Sequence, residues 1–189
     1  RGLGDVYKRQ GTFSIGLLTS KINLEGPIIK GKTSFNISAR RSYLDLLAKP
    51  FMPDDEKYSY YFYDMNAKIN HKFSDRSRMF LSAYHGKDHF AADYDGNTDF
   101  KDGSNMGWGN TIVSARWNYI FNNQLFSNTT VSYNNYLFDV NTYTNNQYST
   151  GAGAIILNRY SSNYHSGITD WSYQIDFDYN PTPAHHIKF

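Results

Sequence analysis

The chain has 189 residues, no cysteine, 19 Lys+Arg against 17 Asp+Glu, and 17 tyrosines among 17% aromatic residues. Without cysteine it has no disulfide framework, and with a mean hydropathy of −0.64 it has no apolar run near the roughly 18 residues of a membrane helix. The slight basic excess belongs to one end: removing Arg1, Lys8, Arg9 and Asp5 leaves 16 charges of each sign, so no nucleic-acid partner is implied.

That end is set apart. Asp5-Val-Tyr-Lys-Arg-Gln10 resembles one translation frame of a transposon mosaic-end oligonucleotide used in sequencing libraries. Residues 1–10 are therefore expected to be adapter read-through, and residues 11–189 the protein proper. The final His186-Ile-Lys-Phe189 starts a strand and stops, so the chain reads as an internal piece of a longer protein, and the missing leader carries no information.

Alternation predicts eight strands, at about residues 12–24, 32–44, 60–73, 78–90, 108–121, 124–138, 168–180 and from 185 onward. In the second, Phe35, Ile37, Ala39 and Tyr43 share a face, with Arg41 as a dissenter near a strand end, where a long side chain can snorkel. In the third, Tyr63, Met65, Ala67, Ile69, His71 and Phe73 oppose Asp64, Asn66, Lys68, Asn70 and Lys72. In the fifth, Val113, Ala115, Trp117, Tyr119 and Phe121 oppose Asn110, Ser114, Arg116 and Asn118. The seventh is the clearest: Trp171, Tyr173, Ile175, Phe177 and Tyr179 alternate with Asp170, Ser172, Gln174, Asp176 and Asp178. Because successive side chains point to opposite faces, these segments have one apolar and one wet face, whereas the first and fourth strands alternate poorly.

Short turns at Glu25–Gly31, Ser74–Ser77, Asn122–Asn123 and Asn180–Ala184 alternate with long loops at Asp45–Ser59, His89–Gly107 and Asp139–Gly167. Aromatic residues gather toward strand ends. Tyr58, Tyr60, Tyr61, Phe62, Trp108, Tyr133, Tyr136 and Trp171 lie toward the long loops, and Phe73, Phe121 and Tyr179 toward the short turns, as two interfacial girdles would require. This pattern predicts an all-β, antiparallel, up-and-down transmembrane β-barrel, present here as an open curved sheet of its first eight or so strands. A soluble sandwich also alternates, but strands of about 13 residues exceed its usual five or six.

Three local motifs lose to plainer readings. Gly26-Pro-Ile-Ile-Lys-Gly-Lys-Thr33 matches a phosphate-binding loop, yet a strand pattern follows it where the chemistry needs a helix, and Pro27 has no N–H to donate. A hairpin turn is expected there. Asp93-Tyr-Asp-Gly-Asn-Thr-Asp99 places oxygen ligands at alternate positions, like a calcium loop, but Ser104 stands where the bidentate Glu belongs. His185-His186 has no further ligand at metal spacing. No G-x-S-x-G sequence and no paired carboxylates appear, so no enzyme, catalytic residue, cofactor site or metal site is expected. Asn36-Ile-Ser38 and Asn128-Thr-Thr130 match glycosylation acceptors, a pattern without meaning in a bacterial barrel.

From Gly11-Thr-Phe-Ser-Ile-Gly-Leu-Leu-Thr-Ser-Lys-Ile-Asn-Leu-Glu-Gly-Pro27 onward, the chain resembles the start of the barrel of TonB-dependent outer-membrane receptors. The likeness continues through Ser38-Ala-Arg-Arg-Ser-Tyr-Leu-Asp-Leu46, Tyr61-Phe-Tyr-Asp-Met-Asn-Ala-Lys-Ile-Asn70, Phe73-Ser-Asp75 and Trp108-Gly-Asn110. It reaches Arg116-Trp-Asn118, Leu125-Phe-Ser-Asn-Thr129 and Ser166-Gly-Ile168. The subtype it looks most like carries a carboxypeptidase-like regulatory domain before the plug. The resemblance implies a barrel of about 22 strands with a plugged interior, of which this chain is about the first third. It implies outer-membrane lipid around the barrel, and a scarce nutrient (siderophore, cobalamin or oligosaccharide) bound at the cell surface and imported with energy from TonB acting on the plug. A surface lipoprotein partner is compatible with it. Polar residues facing the interior are the expected ligand contacts: Asp64, Asn66, Lys68, Arg116 and the stretch Tyr143 to Tyr164. A passive porin or adhesin barrel, or a secreted carbohydrate-binding β-protein, are the alternatives.

Overall fold

The computed structural model describes residues 8–97, 100–149, 153, 155–182 and 184–189. They form a single antiparallel sheet in strict chain order: β1 (Gln10–Ile15), β2 (Thr19–Ile29), β3 (Thr33–Ser42), β4 (Glu56–Ser74), β5 (Ser77–Asn97), β6 (Phe100–Ile120), β7 (Leu125–Ser149), β8 (Ile155–Thr182) and β9 (His185–Lys188). Each strand pairs only with its sequence neighbours, so the sheet is open, with β1 and β9 at its edges. Between β3 and β4 lie one short helix, α1 (Leu44–Ala48), and a 3-10 turn at Lys49–Phe51. The suspect residues 1–7 fall outside the description, while Gln10 opens β1 opposite Glu25.

Nine strands stand where alternation predicts eight. The expected strand 12–24 is two, folded back at Gly16–Leu18, where Gly16 N–H donates to Thr19 O at 2.8 Å. Tyr43 pins this turn from outside: its N–H donates to Leu18 O at 3.1 Å, and its hydroxyl reaches Ser20 Oγ and Gly16 O. The signal for this turn is tertiary, because Leu17 and Leu18 are not turn-forming residues.

The second difference is length. The expected long loops His89–Gly107 and Asp139–Gly167 are mostly strand, because β5 and β6 pair from Ser77↔Tyr119 up to Asn97↔Phe100, and β7 and β8 from Leu125↔Tyr179 up to Ser149↔Ile155. Once the hairpin register is set, each added rung satisfies backbone donors and acceptors whatever the side chains are. The sheet therefore has a turn end, carrying the connections at 30–32, 75–76 and 121–124, and a hairpin end, where β5–β6 and β7–β8 project. At the turn end Gly31 takes φ +73° and Lys32 N–H donates to Ile29 O, so the phosphate-loop motif is a hairpin turn with no helix after it.

The register slips only at strand ends, at Pro27/Ile29, Lys72/Ser74, Asp95/Asn97 and Tyr179/Thr182. Between those points every rung keeps its parity, and each strand's two side-chain sets stay on fixed faces.

A single layer has almost nothing to bury. Among the described residues only Ala91 and Pro27 are buried apolar side chains, while Trp171 is 73% exposed and Phe13 67%. Domains reach stability by covering a hydrophobic face with a second layer, and here that layer is missing. In water without detergent the full chain should aggregate through its bare face and its β1 and β9 edges. A monomeric, cooperative unfolding transition in plain buffer would contradict this.

Candidate functional site

The pairing carries the alternation across the whole sheet. One rung joins Leu24, Ile37, Ala67, Ala83, Val113, Tyr133 and Trp171, and the next joins Phe35, Ile69, Leu81, Ala115, Val131 and Tyr173. This front face is an apolar belt crossing seven strands. At the turn end it is edged by rings in sequence: Trp117 on Tyr119 (centroids 5.5 Å apart), Tyr119 on Phe121 (4.9 Å), Phe121 near Phe177 (6.4 Å) and Phe177 on Phe189 (5.4 Å). Toward the hairpin end, Tyr61 stacks on His89 at 4.9 Å, Tyr63 leans on His85 at 5.9 Å, and Arg41 lies over Tyr61 at 5.3 Å while pairing with Asp45 at 3.5 Å. From Phe73 to Tyr63 the strand runs about 33 Å.

On the back face the alternate rungs are polar apart from Phe80. One joins Asn36, Lys68, Ser82, Ser114, Ser132 and Ser172; another joins Ser34, Asn70, Phe80, Arg116, Thr130 and Gln174. Hydroxyl pairs bridge neighbouring strands, Ser82 to Ser114 at 2.7 Å and Ser132 to Ser172 at 2.6 Å.

Beyond the belt, toward the hairpin end, the two faces exchange character. The back face gains a largely aromatic wall: Phe62, Trp108 and Phe138 in one row, with Asp88 and Ser166 among them, then Tyr60, Phe90, Met106, Val140 and Tyr164. The front face becomes polar, with Asn105, Asn141 and Asn163 in one row, His165 against Asp139 in another, Lys101 paired with Asp95 at 3.0 Å, and Arg159 donating to Asn145 at 2.8 Å. Strand β7 alone displays the switch: its even positions run Asn128, Thr130, Ser132, Asn134, then Tyr136, Phe138, Val140.

The expected contact residues divide accordingly. Asp64 is engaged: Arg40 reaches its Oδ2 through Nη2 at 2.6 Å and Nε at 2.7 Å, and lies over Phe62 at 4.9 Å. Asn66 sits in register between Ser38 and Tyr84. Lys68 and Arg116, on strands separated by β5, line a common hollow. Tyr143 to Tyr164 is the β7–β8 hairpin, with Tyr164 against Phe138 at 6.2 Å and residues 150–152 and 154 outside the description. The aromatic wall is what linear reading missed. Proximity to loops groups Tyr60, Phe62, Trp108 and Tyr136 with the girdle, whereas parity puts them on the opposite face.

The other motifs resolve. Asp93 accepts from Tyr143 and Asp95 is ion-paired, while Thr98 and Asp99 of the calcium-like stretch lie outside the description. His185 bonds Thr182 at 2.7 Å and His186 bonds buried Asp178 at 2.9 Å. Among the described residues no three histidine or acidic side chains converge as a metal centre.

Comparison with protein-family models, curated proteins and solved structures finds no match to this chain.

At the projecting hairpins, Tyr143 donates to Asp93 at 3.0 Å, its ring lying over Gly103, where any Cβ would collide with it. Burial, then the Asp93 hydrogen bond, raises its phenol above the usual 10. The fold thus favours the neutral phenol. Its stabilising effect is complete below the ordinary phenol pKa and fades as pH rises through the raised value. Tyrosine Cζ chemical shifts against pH should include a late-titrating ring that disappears in Tyr143→Phe and returns toward the usual value in Gly103→Ala. A Tyr143 that titrates normally would refute the packing described.

Proposed function

We propose that this chain is part of the barrel of an outer-membrane transport receptor, one that binds a scarce nutrient at the cell surface and imports it with TonB-derived energy. The observation that carries the reading is the front belt: apolar across seven strands, edged by rings at both margins and giving way to polar groups beyond one of them. A bilayer is the partner that fits such a surface, since its hydrocarbon replaces the missing layer and its headgroups suit amphipathic rings.

The switch in character supports the same placement. Where the chain leaves lipid, its outer surface turns polar for water, and rings turn inward. An inward aromatic wall suits the ring faces of a sugar or a chelate, with Tyr60 and Asp88 (2.9 Å apart) offering hydrogen-bonding groups. Energy coupling through TonB and the plug rests on the sequence resemblance alone.

The three tryptophans test the membrane reading directly, because Trp117 and Trp171 lie on the front face and Trp108 on the back. In single-tryptophan variants reconstituted in vesicles, brominated lipid chains should quench Trp117 and Trp171 and spare Trp108, while aqueous acrylamide should reach Trp108. Equal quenching of all three by lipid would sink the assignment. For transport, nutrient uptake by cells carrying the full-length receptor should stop when the energising complex is deleted. Undiminished uptake would favour the passive porin.

A further inference from the structure

We propose that the hollow between Lys68 and Arg116 on the back face binds the anionic group (carboxylate, phosphate or sulfate) of a small solute. The site rests on the proposed reading in one respect: the back face must line a wet interior. Its chemistry comes from β4, β5, β6 and β7, whose rungs bring together Lys68, Phe80, Ser82, Ser114, Arg116 and Thr130 around a space of about 310 Å³.

Four features suit an anion. Both cations are free: among the described residues neither Lys68 nor Arg116 has a carboxylate within 4.0 Å, whereas Arg40, Arg41, Lys72 and Lys101 are each paired with an aspartate. Arg116 is positioned, its Cζ 4.8 Å over the Phe80 ring. Stacking occupies one flat side of the guanidinium and leaves its N–H edge as a fork for two oxygens. Ser82 and Ser114 share one hydrogen bond at 2.7 Å, so one hydroxyl proton is left over for a third partner. No carboxylate lines the hollow. A cation would meet repulsion there, and a neutral sugar would leave two charges unanswered.

The hollow lies within the height of the belt, closer to the turn end than the aromatic wall is. A solute entering from the hairpin end would therefore meet rings first and the cations deeper.

The test uses the full chain in detergent micelles, titrated calorimetrically with inorganic phosphate and, separately, sulfate. Saturable binding is expected, weakened at least about tenfold by Lys68→Gln and by Arg116→Gln, the size expected for one charge-assisted hydrogen bond. Arg116→Lys should recover part of the loss, and Lys57→Gln, at the hairpin end of β4, should bind as the parent does. Far-UV circular dichroism of each variant checks that the sheet persists. Non-saturating heats, or equal loss in Lys57→Gln, would mean general charge attraction and overturn the proposal. A chain that associates with vesicles but does not titrate would sink the hollow alone. One that titrates through Lys68 and Arg116 yet ignores vesicles would sink the membrane reading and leave the hollow standing.

Discussion

Uninterrupted register is the constraint on which everything else depends. Side chains alternate with a period of two, so a single one-residue slip would send a whole strand's apolar set to the opposite face. Here the slips sit beside turns, where the faces have already ended. Between them, residues as distant as Leu24 and Trp171 fall into one continuous surface, although no side-chain contact joins them directly. The same register assembles Lys68 and Arg116, 48 positions apart, around one hollow. Belt, wall and hollow are thus consequences of one backbone arrangement.

That arrangement does not supply a core. Away from the open edges the backbone hydrogen bonds are satisfied within the sheet, but the apolar area is not buried within the chain. Backbone closure and hydrophobic burial, which coincide in a globular domain, are separated here and answered by different partners: the ladder by neighbouring strands, the belt by whatever covers it. On the polar part of the back face, serine pairs, the Arg40–Asp64 pair and the Asn36 bonds to Asn23 and Glu25 satisfy some groups laterally, while Lys68 and Arg116 stay exposed.

Much of this was legible in the sequence, and the failures have physical causes. The alternation of β4, β6 and β8 and the turns at 30–32, 75–76 and 121–124 were readable because period-two patterning and Gly, Asn, Asp and Pro punctuation agreed there. The turn at Gly16–Leu18 was not, because it is held by Tyr43, a residue 25 positions beyond Leu18. The projecting hairpins read as loops because Asn, Ser, Gly and Asp are poor strand formers in isolation, although a hairpin already in register extends through them. The aromatic wall is hidden in the sequence because alternation alone does not say which of the two faces is apolar. Tyr136, Phe138 and Val140 continue the same alternation in β7 with the faces exchanged. Of the contact residues singled out, Lys68 and Arg116 share a hollow and Asp64 is taken by Arg40, a distinction that required the register.

The exchange of faces has a mechanical consequence. A uniformly amphipathic sheet could slide along its strand direction within an apolar layer by two-residue steps at little cost, since each step keeps its parity. This sheet cannot. A step of about 7 Å toward the turn end would draw the His89, Asp139 and His165 row into the layer. An equal step the other way would strip cover from the Trp117–Phe121 rings. In such a layer the boundary would work as a waterline, resisting axial load across β5 to β8 rather than at a few anchors.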